Sequence, residues 1–410
     1  MVRNKIAVLE KATIDKIAAG EVVERPASVV KELVENAIDA GADAITVEIK
    51  DGGKSYIRIT DNGCGIPEEE LPVAFLRHST SKLRDATELS DIHTLGFRGE
   101  ALSSISAVSR VEMITKPQTE LMGVRYVVEG SQEVSMDKIG APDGTTIMVY
   151  QLFFNTPARK KFLKSDMTEA SYISELMERL ALSHPDVSFL FISNKKEKIH
   201  TSGNGNLMDT IYQIYGRQIA SNLLAVEKET DLLMVSGFIG NSNVARGNRS
   251  LENFYINGRY IKSPLLSKAV EEGYVGYLMQ HQYPFCVLQI TTKEAAVDVN
   301  VHPTKQEVRF DDEIAIADIF KTLVFERLHQ REDIAEVTLD EEIEIEKENE
   351  QSKPVTEERT PEPFEKARLQ QMREKITKQI HADTPYERKY QEFYQKRESD
   401  TNAHAPKQEL

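Results

Sequence analysis

Residues 26–41 read Pro-Ala-Ser-Val-Val-Lys-Glu-Leu-Val-Glu-Asn-Ala-Ile-Asp-Ala-Gly, and this segment gives the clearest indication of how the first half of the chain folds. Apolar residues recur in it at positions 30, 33, 34, 37 and 38, which predicts an amphipathic helix over residues 27–40 with one buried face. Pro26 suits the first turn of that helix and Gly41 its C-terminal end. Glu32 and Asn36 are one helical turn apart, so both side chains project from the same helix face.

A sheet is predicted to follow this helix. Two β-type runs lie near residues 44–50 and 55–60, and Gly52-Gly53 supplies the turn between them. The other elements predicted in this region are strands near 110–115, 122–129 and 145–150 and a helix over about 167–183. The expected fold class is therefore α+β, with helices on one face of a mostly antiparallel sheet, in a first domain of residues 1–200.

The chain beyond residue 200 divides into two parts of different character. Residues 207–335 repeat the α/β mixture and predict a second domain. Its strand patterns lie near 232–239, 253–257, 284–291 and 296–301, and its helical patterns lie near 263–272 and 313–330. Residues 336–410 are Glu-rich and Pro-punctuated with too little apolar content for a core, so we expect a disordered acidic linker or tail.

Composition and charge narrow the function classes. No apolar run approaches the ~20 residues that a bilayer span needs, and residues 1–10 lack the apolar segment of a signal peptide. Cys64 and Cys286 have no metal-type spacing, which favours a reduced, cytoplasmic setting. The net charge is −15, but residues 331–350 carry ten acidic against two basic residues, so the overall sign does not exclude a DNA partner.

Glu32 and Asn36 have the chemistry of a nucleotide-hydrolysing site. A glutamate can take a proton from an attacking water. The amide oxygen of Asn36 can bind Mg2+, which prefers oxygen ligands and keeps several waters and phosphate oxygens. The alternative for this pair alone is a solvated polar stripe on a surface helix.

A second candidate motif is Asp61-Asn-Gly63-Cys-Gly65, directly after a β-type run. A carboxylate at the end of a strand, followed by glycines that let the backbone come close, can accept a hydrogen from an adenine amino group. Taken alone, Asp-Asn-Gly is also a common turn.

Two segments are candidates for binding phosphate. One is Thr80, Ser81 and Lys82. The other consists of Leu95, Gly96, Phe97, Arg98, Gly99, Glu100, Ala101 and Leu102. In the second segment glycines come directly before a predicted helix, so backbone N–H groups and the helix N-terminus can face an anion. Neither the Walker A pattern nor Gly-x-Gly-x-x-Gly occurs, which removes the common nucleotide-site interpretations.

Taken together, these motifs resemble the four separated boxes of the GHKL ATPases: Glu32 with Asn36, Asp61 with Gly63 and Gly65, Gly96 with Gly99, and Gly144 with Thr145. Residues 20–36, 77–82, 95–102 and 154–162 closely resemble the MutL mismatch-repair family, and the resemblance covers about residues 6–330. It implies a Bergerat-type ATPase sandwich followed by a domain like the second domain of ribosomal protein S5.

The resemblance also implies roles and cofactors. Glu32 would be the general base, Asn36 the Mg2+ ligand and Asp61 the adenine reader, with Thr145 beside it. Residues 96–102 would form a lid over the ATP phosphates, assisted by residues 80–82. Lys305, in the string of residues 300–310, would reach the γ-phosphate from the second domain and stabilise transition-state charge. ATP binding would order the lid and close an N-terminal dimer, and slow hydrolysis would reset it.

The predicted partners are DNA, a MutS-type mismatch-recognition protein, and a downstream helicase, nuclease or sliding clamp. The candidate DNA contacts are Arg159, Lys160, Arg259 and Lys262, although basic clusters are more often plain solvated surface. No base-reading helix is evident, so we expect contact that is largely independent of sequence and sensitive to salt.

Some expectations concern alternatives to this function. Residues 379–388 only faintly resemble the metal motif of a MutL endonuclease domain, so nuclease activity is not expected from this chain. A non-catalytic adaptor, in which bound ATP merely locks the lid, is the competing class of function. A topoisomerase would need a cleavage-tyrosine domain, a chaperone lacks this lid sequence, and a histidine kinase needs a phospho-accepting helix.

Overall fold

Helix α2, Pro26–Asp39, forms the centre of the first region of the computed structural model. The structure describes residues 10–81, 99–292, 297–298, 309–310 and 312–330, all within one unit that runs from Met1 to Ile334. The predicted tail, 336–410, lies outside the described residues. In the part that the structure describes, no helix combines the length and apolar character needed to cross a membrane.

The sequence of α2 explains where the helix lies and what it buries. Pro26 occupies the first turn, where a missing N–H costs nothing, and Gly41 follows the C-terminal end with a φ of +74° that favours glycine. The buried face consists of Pro26, Val29, Val30, Leu33, Val34 and Ala37. The predicted helix and its inward face are confirmed.

An eight-stranded sheet lies beneath the helices of this region, in the order β5-β4-β3-β6-β2-β1-β7-β8. Its strands are β1 Ala44–Lys50, β2 Tyr56–Asp61, β3 Arg110–Lys116, β4 Gly123–Glu129, β5 Gln132–Ile139, β6 Gly144–Tyr150, β7 Ser188–Ser193 and β8 Lys196–His200. All neighbouring pairs are antiparallel except β1 with β7, so the mostly antiparallel sheet is confirmed.

The helices of this region are α1 Lys11–Val22, α2, α3 Leu71–Ala74, α4 Ala101–Val108, α5 Pro157–Phe162 and α6 Asp166–Ser183. Within this group α1 packs on α4, and α2 packs on α6. Their apolar faces and the inward side of the sheet form one core that includes Leu33, Ile45, Ile57, Met113 and Phe189. The core holds α2 against β1 and β2, and this fixes the helix that carries Glu32 and Asn36 relative to the end of β2.

A second sheet follows, in the order β12-β11-β13-β10-β9. Its strands are β9 Leu223–Glu229, β10 Leu233–Gly240, β11 Glu252–Ile256, β12 Arg259–Ile261 and β13 Cys286–Thr292, and a separate pair joins β14 Val297–Asp298 to β15 Arg309–Phe310. The remaining helices are α7 Leu207–Tyr215, α8 Arg217–Ala220, α9 Pro264–Gly273 and α10 Glu313–His329.

Helices α9 and α10 pack on each other and share a core with this second sheet. A smaller apolar cluster contains Leu182 of α6, Ile211 of α7 and Tyr255 of β11, so it joins the two sheet regions. The Gln289 side-chain amide also donates to the Leu182 carbonyl across this junction, at 3.2 Å.

Glu252, the first residue of β11, is a buried carboxyl in the second region and is 6% exposed. Burial raises its pKa to about 7; the Ser267 hydroxyl and Arg249 oppose that rise, and Glu271 adds to it. Arg249 is itself held by Glu271, with Nε 2.5 Å from Oε1. The second core therefore contains a carboxyl that favours its protonated form.

We expect Glu252 to make the free energy of unfolding depend on pH. Because its pKa of about 7 lies above the ordinary 4.5, the stability that its protonated form contributes is complete below pH 4.5 and is lost as pH rises through about 7. The loss is on the order of 3 kcal/mol. Urea unfolding at several pH values across this window should show the parent losing stability relative to Glu252→Gln. Parallel pH profiles for the two proteins would contradict this expectation.

Candidate functional site

Glu32 and Asn36 lie on the same side of α2, and both are partly buried. The Lys31 ammonium lies between two carboxylates of this helix: its Nζ is 3.5 Å from Glu32 Oε1 and 2.9 Å from Glu35 Oε2. No motif in the sequence indicated a role for Lys31 or Glu35. The helix thus presents a carboxylate, an amide and a lysine along one stretch.

Asp61 ends strand β2 and is nearly buried, at 9% exposure. Its Oδ1 accepts hydrogen bonds from the N–H of Gly63 at 2.9 Å and from the N–H of Thr145 at 3.2 Å. Burial raises the pKa of the Asp61 carboxyl, and these two N–H donors oppose the rise. With Oδ1 held by the backbone, Oδ2 is the oxygen that can accept an amino hydrogen from a ligand.

The loop after Asp61 is fastened to the end of α2. The Cys64 N–H donates to the Ala40 carbonyl at 3.0 Å. The Asn62 side-chain oxygen accepts from the N–H groups of Asp43 and Ala44, at 3.1 and 3.0 Å. These bonds tie the Asp61 loop to the helix that carries Asn36, so the predicted adenine and magnesium residues belong to one rigid assembly.

Strand β6 closes the other side of Asp61. Gly144 has a φ of +103°, and a Cβ at this position would overlap the carbonyl oxygen of Asp61, so the backbone of β6 can approach only with glycine there. Thr145 follows, and its hydroxyl lies 3.0 Å from the hydroxyl of Thr115 on β3.

Thr115 is a site residue that sequence reasoning missed. Its hydroxyl oxygen also accepts from the Ile66 N–H at 2.9 Å, so it links β3, β6 and the loop that contains Gly65. Thr115 and Thr145 are register partners in the pairing of β3 with β6. The sequence signal was a threonine near the end of a predicted strand, which becomes informative only when the pairing is known.

The two predicted phosphate segments meet at Gly99. This glycine has a φ of +61°, and a Cβ on it would lie 2.5 Å from the carbonyl oxygen of Ser79, directly before Thr80 and Ser81. Glu100 Oε1 lies 3.2 Å from His78 Nδ1. Helix α4 then begins at Ala101, as predicted, and Leu102 packs on the first core.

Several predicted site residues lie outside the described residues. They are Lys82, Leu95, Gly96, Phe97, Arg98 and Lys305. Their assignments as lid, phosphate and γ-phosphate contacts stay predictions.

The four candidate DNA residues differ in exposure. Lys160 and Lys262 are exposed. Arg159 is partly buried, because its guanidinium occupies the space beside Gly20 of α1. Arg259 is also partly buried; burial lowers its pKa, and the nearby carboxylates Glu35 and Asp39 oppose that effect. All four DNA assignments stay predictions, and the two lysines are the side chains most accessible to a phosphate.

The polar side chains near α2 fit an Mg2+ ion that is held mainly by the oxygens of a triphosphate. In the described part of the chain, no group of three or more His, Cys, Asp or Glu is arranged to hold a metal ion. An amide oxygen such as that of Asn36 is a hard ligand that Mg2+ accepts beside waters and phosphate oxygens. An adenine at Asp61 and a triphosphate that runs along α2 toward Glu32 stay predictions.

Family models match two parts of the chain. Residues 21–150 match the model described as histidine kinase-, DNA gyrase B-, and HSP90-like ATPase. Residues 211–329 match the model described as DNA mismatch repair protein, C-terminal domain. The two matches cover the first and second sheet regions respectively.

Two relatives are similar over most of this chain. The DNA mismatch repair protein MutL of Agathobacter rectalis is 58% identical over 377 residues, which is 92% of this chain and 57% of that protein. MutL of Caldanaerobacter subterraneus subsp. tengcongensis is 46% identical over 340 residues, 83% of this chain and 58% of that protein. The chain thus spans less than three fifths of the length of these relatives.

Solved structures are similar as well. The N-terminal domain of a DNA repair protein superposes with a TM-score of 0.66 at 27% identity and covers 76% of this chain and 97% of its own. The Aquifex aeolicus MutL ATPase domain complexed with ADP has a TM-score of 0.53 at 28% identity, and covers 66% of this chain and 93% of its own.

Proposed function

Since this chain belongs to the MutL family of DNA mismatch repair proteins, we propose that its first region binds Mg-ATP at Asp61 and hydrolyses it with Glu32 as the general base. The observation that carries this proposal is the Asp61 assembly, in which a nearly buried carboxylate has one oxygen fixed by two backbone N–H groups and is tied to α2. The related ATPase domain was solved with ADP, which supports a nucleotide ligand.

In this mechanism each described residue has one task. Asp61 accepts from the adenine amino group, with Thr145 and Thr115 fixing the backbone around it. Thr80 and Ser81, which follow the Ser79 backbone that lies beside Gly99, contact the phosphates. Glu32 takes the proton from the attacking water, as a general base must.

Bound Mg2+ would neutralise charge on the triphosphate and orient it. Asn36 is the residue that would hold it through its side-chain oxygen. Lys305 and residues 95–98 complete the proposed site as the γ-phosphate contact and the lid.

We expect Asn36→Ala to weaken Mg-ATP binding by about tenfold or more, because an oxygen ligand to the ion is removed. Calorimetry with a non-hydrolysable ATP analogue, with and without Mg2+, measures this effect. The affinity for the analogue without Mg2+ should change little. Equal Mg2+-dependent affinities for parent and variant would contradict the ligand role.

The proposed biological role is that of a nucleotide-driven clamp. ATP binding orders the lid and closes an N-terminal homodimer on DNA, and hydrolysis resets it. This cycle couples a MutS-type mismatch-recognition protein to a downstream helicase, nuclease or sliding clamp. The proposed setting is the cytoplasm, at the nucleoid.

DNA contact in this proposal depends on phosphate charge. Lys160 and Lys262 are exposed, whereas Arg259 is partly buried close to Glu35 and Asp39. Arg259→Glu would therefore also place a carboxylate beside two others, and Lys262→Glu is the cleaner test.

We expect Lys262→Glu to lower DNA affinity and to reduce the slope of log affinity against log salt by about one or more, since a phosphate contact is replaced by a repulsive charge. Fluorescence anisotropy at several salt concentrations measures both. Lys198→Glu, an exposed change on edge strand β8, is the matched control. If the salt slope of the variant equals that of the parent, Lys262 does not contact DNA.

A further inference from the structure

Lys31 lies between two carboxylates on α2 and bridges them. Its ammonium is 2.9 Å from Glu35 Oε2 and 3.5 Å from Glu32 Oε1, and its side chain is 34% exposed. Burial acts to lower the pKa of Lys31, but Glu35 and Glu32 outweigh burial and the pKa is raised. Lys31 is therefore a fixed cation beside the proposed general base.

Lys31 is also the partner that orients Glu32. Among the described residues, Glu32 has no other ion pair or side-chain hydrogen bond. A glutamate on a helix surface samples several rotamers when nothing holds it. A general base must lie within hydrogen-bond reach of the water that it deprotonates, and a displacement of about 1 Å can cost about 10²-fold in rate.

Glu35 anchors this lysine. Its side chain is 12% exposed, less than that of Lys31 or Glu32. The bridge from Glu35 through Lys31 to Glu32 therefore lies along α2, and its Glu35 end is the most buried.

We propose that Lys31 is a positioning residue for ATP hydrolysis: anchored by Glu35, it holds the Glu32 carboxylate where it can take a proton from the attacking water. The inference rests on the proposed function, because it assumes that Glu32 is the base.

The test measures turnover and nucleotide affinity separately. Lys31→Met keeps an unbranched, slightly shorter side chain and removes its charge, so we expect kcat to fall about 10- to 100-fold while the affinity for a non-hydrolysable Mg-ATP analogue changes less than about threefold. Lys31→Arg should restore most of the turnover, because a guanidinium can bridge both carboxylates. Lys198→Met is the matched control, since Lys198 is an exposed lysine of edge strand β8.

A double-mutant cycle tests the anchor. Glu35→Gln should lower kcat in the same direction, and adding it to Lys31→Met should lower kcat no further, since both changes remove one interaction. If Lys31→Met fails to fold, as judged by circular dichroism, Glu35→Gln alone tests the bridge: it should lower kcat and leave the affinity for the non-hydrolysable analogue nearly unchanged. If the two changes instead lower kcat independently, so that their factors multiply in the double variant, Lys31 and Glu35 do not act as one bridge.

Two further outcomes separate this inference from the proposed function. If the parent hydrolyses ATP and Glu32→Ala does not, but Lys31→Met turns over like the parent, the positioning role is wrong and the proposed function stands. If the parent neither binds nor hydrolyses ATP, the proposed function itself fails, and the inference fails with it.

Discussion

Glu32→Ala should lower ATP turnover by about 10²- to 10⁴-fold while Mg-ATP still binds, because a positioned general base contributes about that factor. Glu32 is partly buried on α2, beside Lys31 and on the same side as Asn36, so its removal leaves the adenine assembly at Asp61 untouched. Release of phosphate under saturating Mg-ATP measures turnover, and calorimetry with a non-hydrolysable analogue measures binding.

The matched control for this experiment is Glu24→Ala, which removes an exposed glutamate just before α2. It should turn over like the parent. A Glu32→Ala protein with parental turnover would rule out Glu32 as the base. If the parent and every variant bind ATP but release no product from it, the protein is instead an adaptor that only binds the nucleotide.

Asp61→Asn is expected to have the second large effect, a loss of ATP affinity of about 100-fold or more. The side-chain oxygen of the asparagine can still accept the hydrogen bonds from the N–H groups of Gly63 and Thr145. Its NH2 group then faces the adenine amino group, so two hydrogen-bond donors meet in a nearly buried position. The substitution hardly changes the volume of the side chain, so a loss of ATP affinity reports the loss of the hydrogen-bond acceptor.

Calorimetric titration with Mg-ATP analogue measures this loss, and thermal unfolding checks that the variant folds. Asp143→Asn is the control, since Asp143 is an exposed residue that pairs with the partly buried Lys116. Unchanged affinity in Asp61→Asn would mean that the carboxylate does not read the base.

These two predictions depend on residues that the sequence already singled out. The helix 27–40 and the strand that ends at Asp61 both appear in the structure within about a residue of their predicted bounds. Both elements have one buried face. Because apolar residues must recur at the helical or strand period to form such a face, the pattern is visible in the sequence. The motifs of the first 102 residues likewise predicted the ATPase family, which the comparisons confirm.

The strands that sequence reasoning missed are mostly edge strands. β5, β8 and β9 lie at edges of their sheets; β5 and β8 expose most of their residues, β9 has a single buried residue, and β8 is rich in lysine. An edge strand with little buried surface needs no apolar alternation, and charged residues there discourage pairing with other chains. The sequence pattern that reveals a strand is therefore absent where the strand buries least.

The helix α2, the strand that ends at Asp61 and the motifs they carry could be recognised from the sequence, because local periodicity and short motifs are properties of neighbouring residues. The contact of Thr115 with Thr145 beside Asp61 became evident from the three-dimensional structure alone. Such contacts join residues far apart in the chain, and strand register and the packing of one region on another set them. No local pattern in the sequence encodes either of these.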